Sequence, residues 1–192
     1  MSKDRPSSYT AVAKWLHWIM AILWIVGWLL GMVAVYLRDQ VNSDHGITIL
    51  HKAVASSLLF FIVIRILWRL LNPPPKFPDS MSPALQRAAH VGHVLLYTVA
   101  LVALPVSGWY WSSVADKPVL VLGLFLLPPL VEANQDLYSL AKWIHTLSAW
   151  GCGVLVGGHV LIALKHHFVD KDDVLKGMLL GGRSRGRREE VG

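Results

Sequence analysis

The amino-acid sequence predicts an all-α integral membrane protein, a four-helix bundle with both termini in the cytoplasm. Of its 192 residues, 54% are apolar and 16% are charged, whereas about 25% of a soluble domain is charged. The segment from Trp18 to Leu37 holds 20 consecutive residues without Asp, Glu, Lys, Arg or His. A helix of about this length crosses a hydrocarbon core of about 30 Å. A soluble globule is thereby excluded, and the single Cys152 excludes an intrachain disulfide framework.

Breaker residues and charges delimit the other predicted spans. The run Pro73-Pro74-Pro75 ends the second span, and Pro105 with Gly108 predicts a kink in the third. Between the third and fourth spans, residues 119–130 are apolar but contain Pro128-Pro129, so they predict an interfacial or partly buried loop. We therefore take 1–182 as one transmembrane domain, with spans at about 14–37, 46–71, 89–113 and 142–165, followed by a basic cytoplasmic tail, 183–192.

The basic residues orient the bundle. In a four-span topology the 18 Lys and Arg residues divide unevenly, and all but Arg38, Lys52, Lys117 and Lys142 fall on the side of the two termini. The positive-inside rule places that side in the cytoplasm. The net charge of +6 therefore reflects membrane topology and does not predict a nucleic-acid partner. The arginines between 183 and 188 predict either a lipid-headgroup anchor or a simple solubility tail.

Four of the nine histidines lie within or near the spans: His17, His51, His145 and His159. An ionisable residue inside a membrane span is costly and therefore indicates function. His145 and His159 are 14 residues apart, which is about 40° short of four helical turns and about 21 Å along the axis. The fourth helix thus presents two imidazoles on one face at two depths.

Topology gives each of these two depths one partner. His17 and His159 fall near the inner surface, and His51 and His145 near the outer surface. Paired imidazoles on facing helices of a bundle are typical axial ligands of b-type haem, so the sequence predicts two haem b groups. Hydrogen-bonded core histidines or a proton relay are the alternative. Zinc or copper sites need three or four donors at one point, and a proton-coupled transporter normally has an intramembrane carboxylate.

The remaining histidines have less specific interpretations. His90 and His93 share one face at the start of the third span. They predict a contact with a haem propionate or a quinone carbonyl, or an interfacial polar pair. One of them could also compete with His17 as the partner of His159, but the depth argument favours His17. His166 and His167 are interpreted as interface residues or as a propionate contact.

These residues resemble the bacterial cytochrome b-561 family of small dihaem membrane proteins, over about residues 9 to 180. The resemblance rests on the order of the four histidines, on their 34- and 14-residue spacings, and on several short motifs. The motifs are Lys14-Trp15-Leu16-His17-Trp18, Leu50-His51, Ala89-His90-Val91-Gly92-His93, Ala103-Leu104-Pro105-Val106-Ser107-Gly108, Glu132-Ala133-Asn134, and His166-His167 followed by Lys171-Asp172-Asp173.

The resemblance implies a multi-pass protein of the bacterial inner membrane that ligates two b haems through the same histidine pairs. It also implies an activity, the oxidation of superoxide at the periplasmic face with reduction of membrane ubiquinone, that is, a superoxide:quinone oxidoreductase. Other family members carry electrons for a partner dehydrogenase or hydrogenase, and this is the second hypothesis. A haem-free histidine transporter or metal carrier is the third.

Two lysines are candidates for attracting superoxide to the outer haem. Lys52 is adjacent to His51, and Lys142 precedes His145 by three residues. A small anion needs only an accessible haem edge and a favourable local potential. The alternative is that both lysines are plain span flanks. The expected partners are accordingly membrane lipid, a quinone, and superoxide or a redox partner protein, with no nucleic acid.

Overall fold

The computed structural model describes residues 8–77 and 81–181. Within them, four helical stretches are long and apolar enough to cross a membrane: Ala11–Tyr36, Gly46–Leu71, Pro83–Val114 and Gln135–Asp170. The helices are α1 (Ala11–Tyr36), α2 (Arg38–Val41), α3 (Gly46–Leu71), α4 (Pro83–Leu95), α5 (Leu104–Val114), α6 (Tyr138–Lys165) and α7 (Val174–Met178). The strands are β1 (Leu120–Val121) and β2 (Phe125–Leu126). The basic tail, 183–192, lies outside the described residues.

The bundle has two ends, which we name by the chain. The terminal end is where α1 begins and α6 ends, and the distal end is where α1 ends and α6 begins. At the terminal end, α1 and α4 begin earlier in the chain than the predicted spans, and a capping residue precedes each of them. The Thr10 hydroxyl accepts a hydrogen bond from the Ala13 amide at 3.2 Å, and Ser82 caps α4 with Pro83 in the first turn. The third span therefore begins six residues before the predicted Ala89.

A buried asparagine connects α1 to α3 at the distal end. Asn42 is 1% exposed, and its amide nitrogen donates to the Ala34 carbonyl at 3.3 Å and to the Thr48 hydroxyl at 2.8 Å. Its side-chain oxygen accepts from the amides of Ile47 and Thr48. Asn42 thus satisfies amides that α3 leaves without helical partners and fixes the start of the helix that carries His51.

A π-helical segment, Leu96–Ala103, joins α4 to α5 within the third span. The wider helix precedes Pro105, whose ring lacks the amide proton of a regular helical hydrogen bond and clashes with the preceding turn. The carbonyl of Ala100, inside this segment, accepts a hydrogen bond from the indole of Trp24 at 3.1 Å. The π-helical segment ends two residues before Pro105, and the kink expected at Pro105 and Gly108 stays a prediction.

The buried core lies between the two histidine depths. Its members come from all four spans and are Met20, Trp24, Leu58, Ile62, Ala100, Leu104, Ala149 and Cys152. Cys152 is midway between His145 and His159 on α6 and is 1% exposed. Because apolar packing leaves no room for water in this layer, a closely packed apolar layer separates the two histidine levels.

The apolar segment after the third span folds into a two-stranded hairpin. Val121 pairs with Phe125, and the hairpin packs against α3, where the Leu122 amide donates to the Ala53 carbonyl at 3.2 Å. The ring of Phe125 meets Phe60 edge to face at 5.5 Å between centroids. The hairpin thus packs on α3 between Ala53 and Phe60, whereas Pro128 and Leu130 are hydrogen-bonded to Trp109 and Ser113 of α5.

Candidate functional site

The distal histidine level consists of His51 on α3 and His145 on α6, whose ring centroids are 6.2 Å apart. The Nδ1 of His51 donates to the Gly27 carbonyl at 2.7 Å, because a carbonyl oxygen can only accept. The Ser107 hydroxyl donates to the Leu104 carbonyl at 2.7 Å, so its oxygen is left to accept from His145 Nδ1 at 3.0 Å. Both rings therefore keep a free lone pair on Nε2, which is the tautomer of a metal-binding imidazole.

Two glycines make room for these rings. A Cβ atom at Gly31 would lie 3.0 Å from Cε1 of His51, and one at Gly108 would lie 2.9 Å from Cε1 of His145. These distances are well inside ordinary van der Waals contact. No sequence pattern indicated the contact between Gly108 and His145, because the two residues are 37 positions apart in the chain.

The terminal histidine level contains three imidazoles. His17 on α1 and His159 on α6 have centroids 6.4 Å apart. His93 on α4 lies 5.5 Å from His159, and its Nδ1 donates to the Ala89 carbonyl at 2.6 Å. His90 is exposed. The structure therefore brings His93 to this level and leaves His90 on the surface of α4.

The spacing of the two expected pairs suits axial ligation of a metal ion. Because a metal–imidazole bond is about 2.0–2.1 Å long and the ring centre lies about 1.1 Å behind the nitrogen, two imidazoles on opposite sides of one ion have centres about 6.3 Å apart. The pairs His51–His145 and His17–His159 match this value at 6.2 and 6.4 Å. His93 and His159 are closer than that at 5.5 Å, which favours His17 as the partner of His159.

The donor set also argues against a compact metal site at these levels. In the described part of the chain, the group of three or more His, Cys, Asp and Glu side chains that could share an ion is His166, Asp170 and Asp172, beyond the end of α6. A structural zinc or copper ion needs such a convergence. The facing pairs His51–His145 and His17–His159 would suit a haem instead.

Comparison with known proteins agrees with this chemistry. The family model of prokaryotic cytochrome b561 matches residues 8–181. The chain belongs to the prokaryotic cytochrome b561 family. Members of this family are multi-pass inner-membrane electron-transfer proteins that bind haem b.

Individual relatives cover nearly the same length. The chain is 37% identical over 176 residues to cytochrome b561 homolog 2 of Escherichia coli strain K12, covering 92% of this chain and 93% of that protein. It is 30% identical over 173 residues to the probable superoxide oxidase CybB of Yersinia pestis, covering 89% and 95%. Cytochrome b561 homolog 1 of Escherichia coli strain K12 is 28% identical over 171 residues, covering 86% and 93%.

The two lysines that the sequence suggested for attracting an anion, Lys52 and Lys142, have different surroundings. Lys52 Nζ donates to the Pro118 carbonyl at 3.4 Å, and Lys117 is near enough for the two positive charges to repel. Lys142 is exposed on α6, and no hydrogen bond or ion pair joins it to another described residue. The positive charge of Lys117 thus acts on Lys52, although the sequence indicated Lys117 only as an outer-side charge.

The last two histidines lie in a second π-helical segment, His166–Asp170, directly after α6. His166 Nδ1 is 2.6 Å from a carboxylate oxygen of Asp172 and 3.3 Å from one of Asp170. Nδ1 of His167 is buried and has no hydrogen-bond partner among the described residues, and its ring packs on Phe168. His166 therefore takes part in a local ionic cluster with Asp170 and Asp172.

Arg65, at the terminal level, was given no role from the sequence. Arg65 Nη2 lies 3.5 Å from His17 Nδ1. The available signal was its spacing from His51, which is the same 14 residues that separate His145 from His159. One face of α3 thus offers an imidazole at the distal level and a guanidinium at the terminal level.

Proposed function

We propose that this chain is a dihaem b-type cytochrome that oxidises superoxide at the periplasmic face and reduces ubiquinone in the inner membrane. The observation that carries the proposal is the presence of two imidazole pairs at separate depths, each with the spacing of axial ligands. His51 and His145 are the proposed ligands of one haem b, and His17 and His159 of the other. The distal end is the proposed periplasmic side, in line with the basic residues at the terminal end.

The chain's contribution to such chemistry is orientation and exclusion of water. When bound, haem b supplies reversible one-electron transfer. The Gly27 carbonyl and the Ser107 hydroxyl hold the distal rings in the ligating tautomer. Oxidation of two superoxide anions to dioxygen releases the two electrons that, with two protons, reduce one quinone to the quinol. The apolar layer around Trp24 and Cys152 keeps bulk water from the path between the two levels.

Local positive charge supports the proposed substrate. Lys52 and Lys117 form a cationic pair at the distal end, next to the level of His51. Such a patch raises the local concentration of a small anion even where the side as a whole is nearly neutral. Lys142 adds a third exposed charge on α6 near His145. The name of the Yersinia pestis relative, a probable superoxide oxidase, agrees with this proposal.

The direct test uses the purified chain alone in liposomes that contain ubiquinone. Superoxide generated enzymatically in the medium should reduce the quinone and release dioxygen, with no further protein added. The double variant K52Q/K117Q should lower the second-order rate and weaken its dependence on salt, because its electrostatic attraction is smaller. K76Q, which changes an exposed lysine at the terminal end, is the matched control and should react like the wild type.

A second candidate is an electron-conduit subunit for a partner dehydrogenase or hydrogenase. The specific observation in its favour is the apolar hairpin at the distal end, where Leu124 is 76% and Leu126 is 59% exposed. In the liposome assay this candidate predicts no quinone reduction by superoxide. The haems would then become reduced only after a partner enzyme with its own electron donor is added.

A further inference from the structure

Two arginines of α3, Arg65 and Arg69, converge on one tyrosine at the terminal histidine level. Arg65 Nε donates to the Tyr97 hydroxyl at 2.6 Å. The guanidinium carbons of Arg65 and Arg69 lie 5.5 and 5.6 Å from the centre of the Tyr97 ring. One turn of helix separates the two arginines, so both charges project to the same side of α3.

These two charges have no balancing carboxylate in residues 8–77 and 81–181. The ion pairs there join Lys165, His166 and Lys176 to aspartates that follow α6, and none involves Arg65 or Arg69. Charged groups in or near a membrane span are normally paired, because leaving them unpaired in a medium of low dielectric is costly. The missing negative charge is therefore expected from a molecule other than this chain.

The position of Arg65 connects this unbalanced charge to the proposed terminal haem. Arg65 Nη2 is 3.5 Å from His17 Nδ1, and Nη1 is 3.4 Å from the Ala13 carbonyl. If His17, a proposed haem ligand, binds iron through Nε2, its Nδ1 carries a proton and faces another donor. Two donors that point toward each other at this distance are both satisfied when an anionic oxygen lies beside them.

A small cavity of about 30 Å³ lies beside the two arginines. Most of its surface is apolar, and its polar lining consists of Tyr9, Arg65, Arg69, Asn72 and Tyr97. Burial raises the pKa of the Tyr9 phenol, against the opposing effect of the Arg69 charge. Tyr9 therefore stays protonated at neutral pH and is able to donate. The polar side of this cavity, with two guanidinium groups and a phenol, is complementary to one small anionic group such as a carboxylate.

We infer that Arg65 and Arg69 form an anion site that holds a carboxylate of haem, namely a propionate of the haem proposed at His17 and His159. Guanidinium groups bind carboxylates in two-pronged geometry. A lipid phosphate would offer the same chemistry, so the experiment has to separate these two sources. The inference rests on the proposed dihaem function and names the residues that would fix the orientation of one haem.

The first part of the experiment compares haem with its dimethyl ester, in which both propionates are methylated. R65Q/R69Q should bind haem at the terminal level about 10- to 100-fold more weakly, the range found for groups that orient a metal ligand. The wild type should bind the ester more weakly than haem by the same factor. R65Q/R69Q should bind the ester and haem with equal affinity. R87Q, which changes an exposed arginine on α4, should behave as the wild type.

The second readout is the reduction potential of the terminal haem, measured by redox titration. Removing two positive charges beside the site should favour the oxidised, more positive haem and lower its potential. The distal haem should titrate as before, and its unchanged spectrum also shows that the variant is folded. R65K/R69K keeps the two positive charges but loses the two-pronged contact, so the reduction potential of the terminal haem should stay close to the wild-type value.

The two sources give different results. If a lipid phosphate occupies the site, the ester will bind as tightly as haem. The wild type will then prefer vesicles of phosphatidylglycerol over vesicles of phosphatidylcholine, and R65Q/R69Q will lack this preference. If R65Q/R69Q matches the wild type in haem affinity, potential and lipid preference, the anion site is wrong. A wild-type chain that fails to bind two haems overturns the proposed function itself, whereas two haems with unaffected arginine variants overturn only this inference.

Discussion

Gly108 is the position where a single added methyl group should affect one haem site. A Cβ at residue 108 would lie 2.9 Å from Cε1 and 3.3 Å from Nδ1 of His145. Ordinary contacts between carbon atoms are about 3.5–4.0 Å, so the imidazole of His145 must move by about 0.6–1.1 Å. The hydroxyl that lies 3.0 Å from His145 Nδ1 belongs to Ser107, the residue before Gly108 on α5. When the ring of His145 moves away from residue 108, it therefore also moves away from this hydrogen-bond partner.

The size of the effect follows from the cost of overpacking. Forcing an extra carbon atom into a packed site costs about 1–3 kcal/mol. If that cost falls on the ligating orientation of His145, binding of the distal haem weakens by about 5- to 150-fold. The terminal haem, with ligands elsewhere on α1 and α6, should bind as it does in the wild type.

The assay is a spectroscopic haem titration of apoprotein for Gly108→Ala and for the control Gly151→Ala. At Gly151 an added Cβ meets nothing within 4 Å, so the control gains only the modest helix preference of alanine. The reasoning predicts one weakened site in the first variant and two normal sites in the second. Wild-type affinity and spectrum at both sites in Gly108→Ala would refute the crowding argument.

Three further changes test other contacts. Ser107→Ala removes the acceptor for His145 Nδ1 and should weaken the distal haem about 10-fold or more; an unchanged distal spectrum and affinity would contradict this. Asn42→Ala removes four hydrogen bonds at a buried position and should lower the free energy of unfolding by about 1–3 kcal/mol, as a fall in the melting temperature in detergent. Trp28→Phe loses the indole donor to the Ala149 carbonyl at 2.9 Å and should cost about 1 kcal/mol without altering haem content, which haem quantitation checks.

The sequence was sufficient for the spans and for the proximity of the histidines, because both follow from periodicities along single helices. The predicted second span, 46–71, has the bounds of α3. The structure brings together the pairs that the depth argument selects, His51 with His145 and His17 with His159. Their role as haem ligands remains a prediction.

Features that depend on contacts between helices were not predictable in this way. Pro105 indicated an irregularity but not the π-helical geometry before it, which accompanies the hydrogen bond from Trp24 to Ala100. The hairpin after α5 packs through Phe125 on Phe60, and no local pattern encodes that pairing. Gly108 was likewise noted only for its backbone, since its contact with His145 arises from packing of α5 on α6.

Arg65 shows a different reason for a missed residue. Long basic side chains near span ends usually extend to the headgroups, and that general expectation displaced the more specific signal of its 14-residue distance from His51. His93 was recognised as a competitor for His159, with His17 preferred. The ring distances of 5.5 and 6.4 Å add an argument for His17 that the sequence could not supply.

The most direct test of the dihaem proposal is the number of b haems per polypeptide in the wild type, His51→Ala and His159→Ala, measured by pyridine haemochrome absorbance against amino-acid analysis. The proposal predicts two haems in the wild type and one in each variant, with a different haem lost in each. A colourless wild-type protein after expression with ample haem, or either variant with both haems intact, would contradict it.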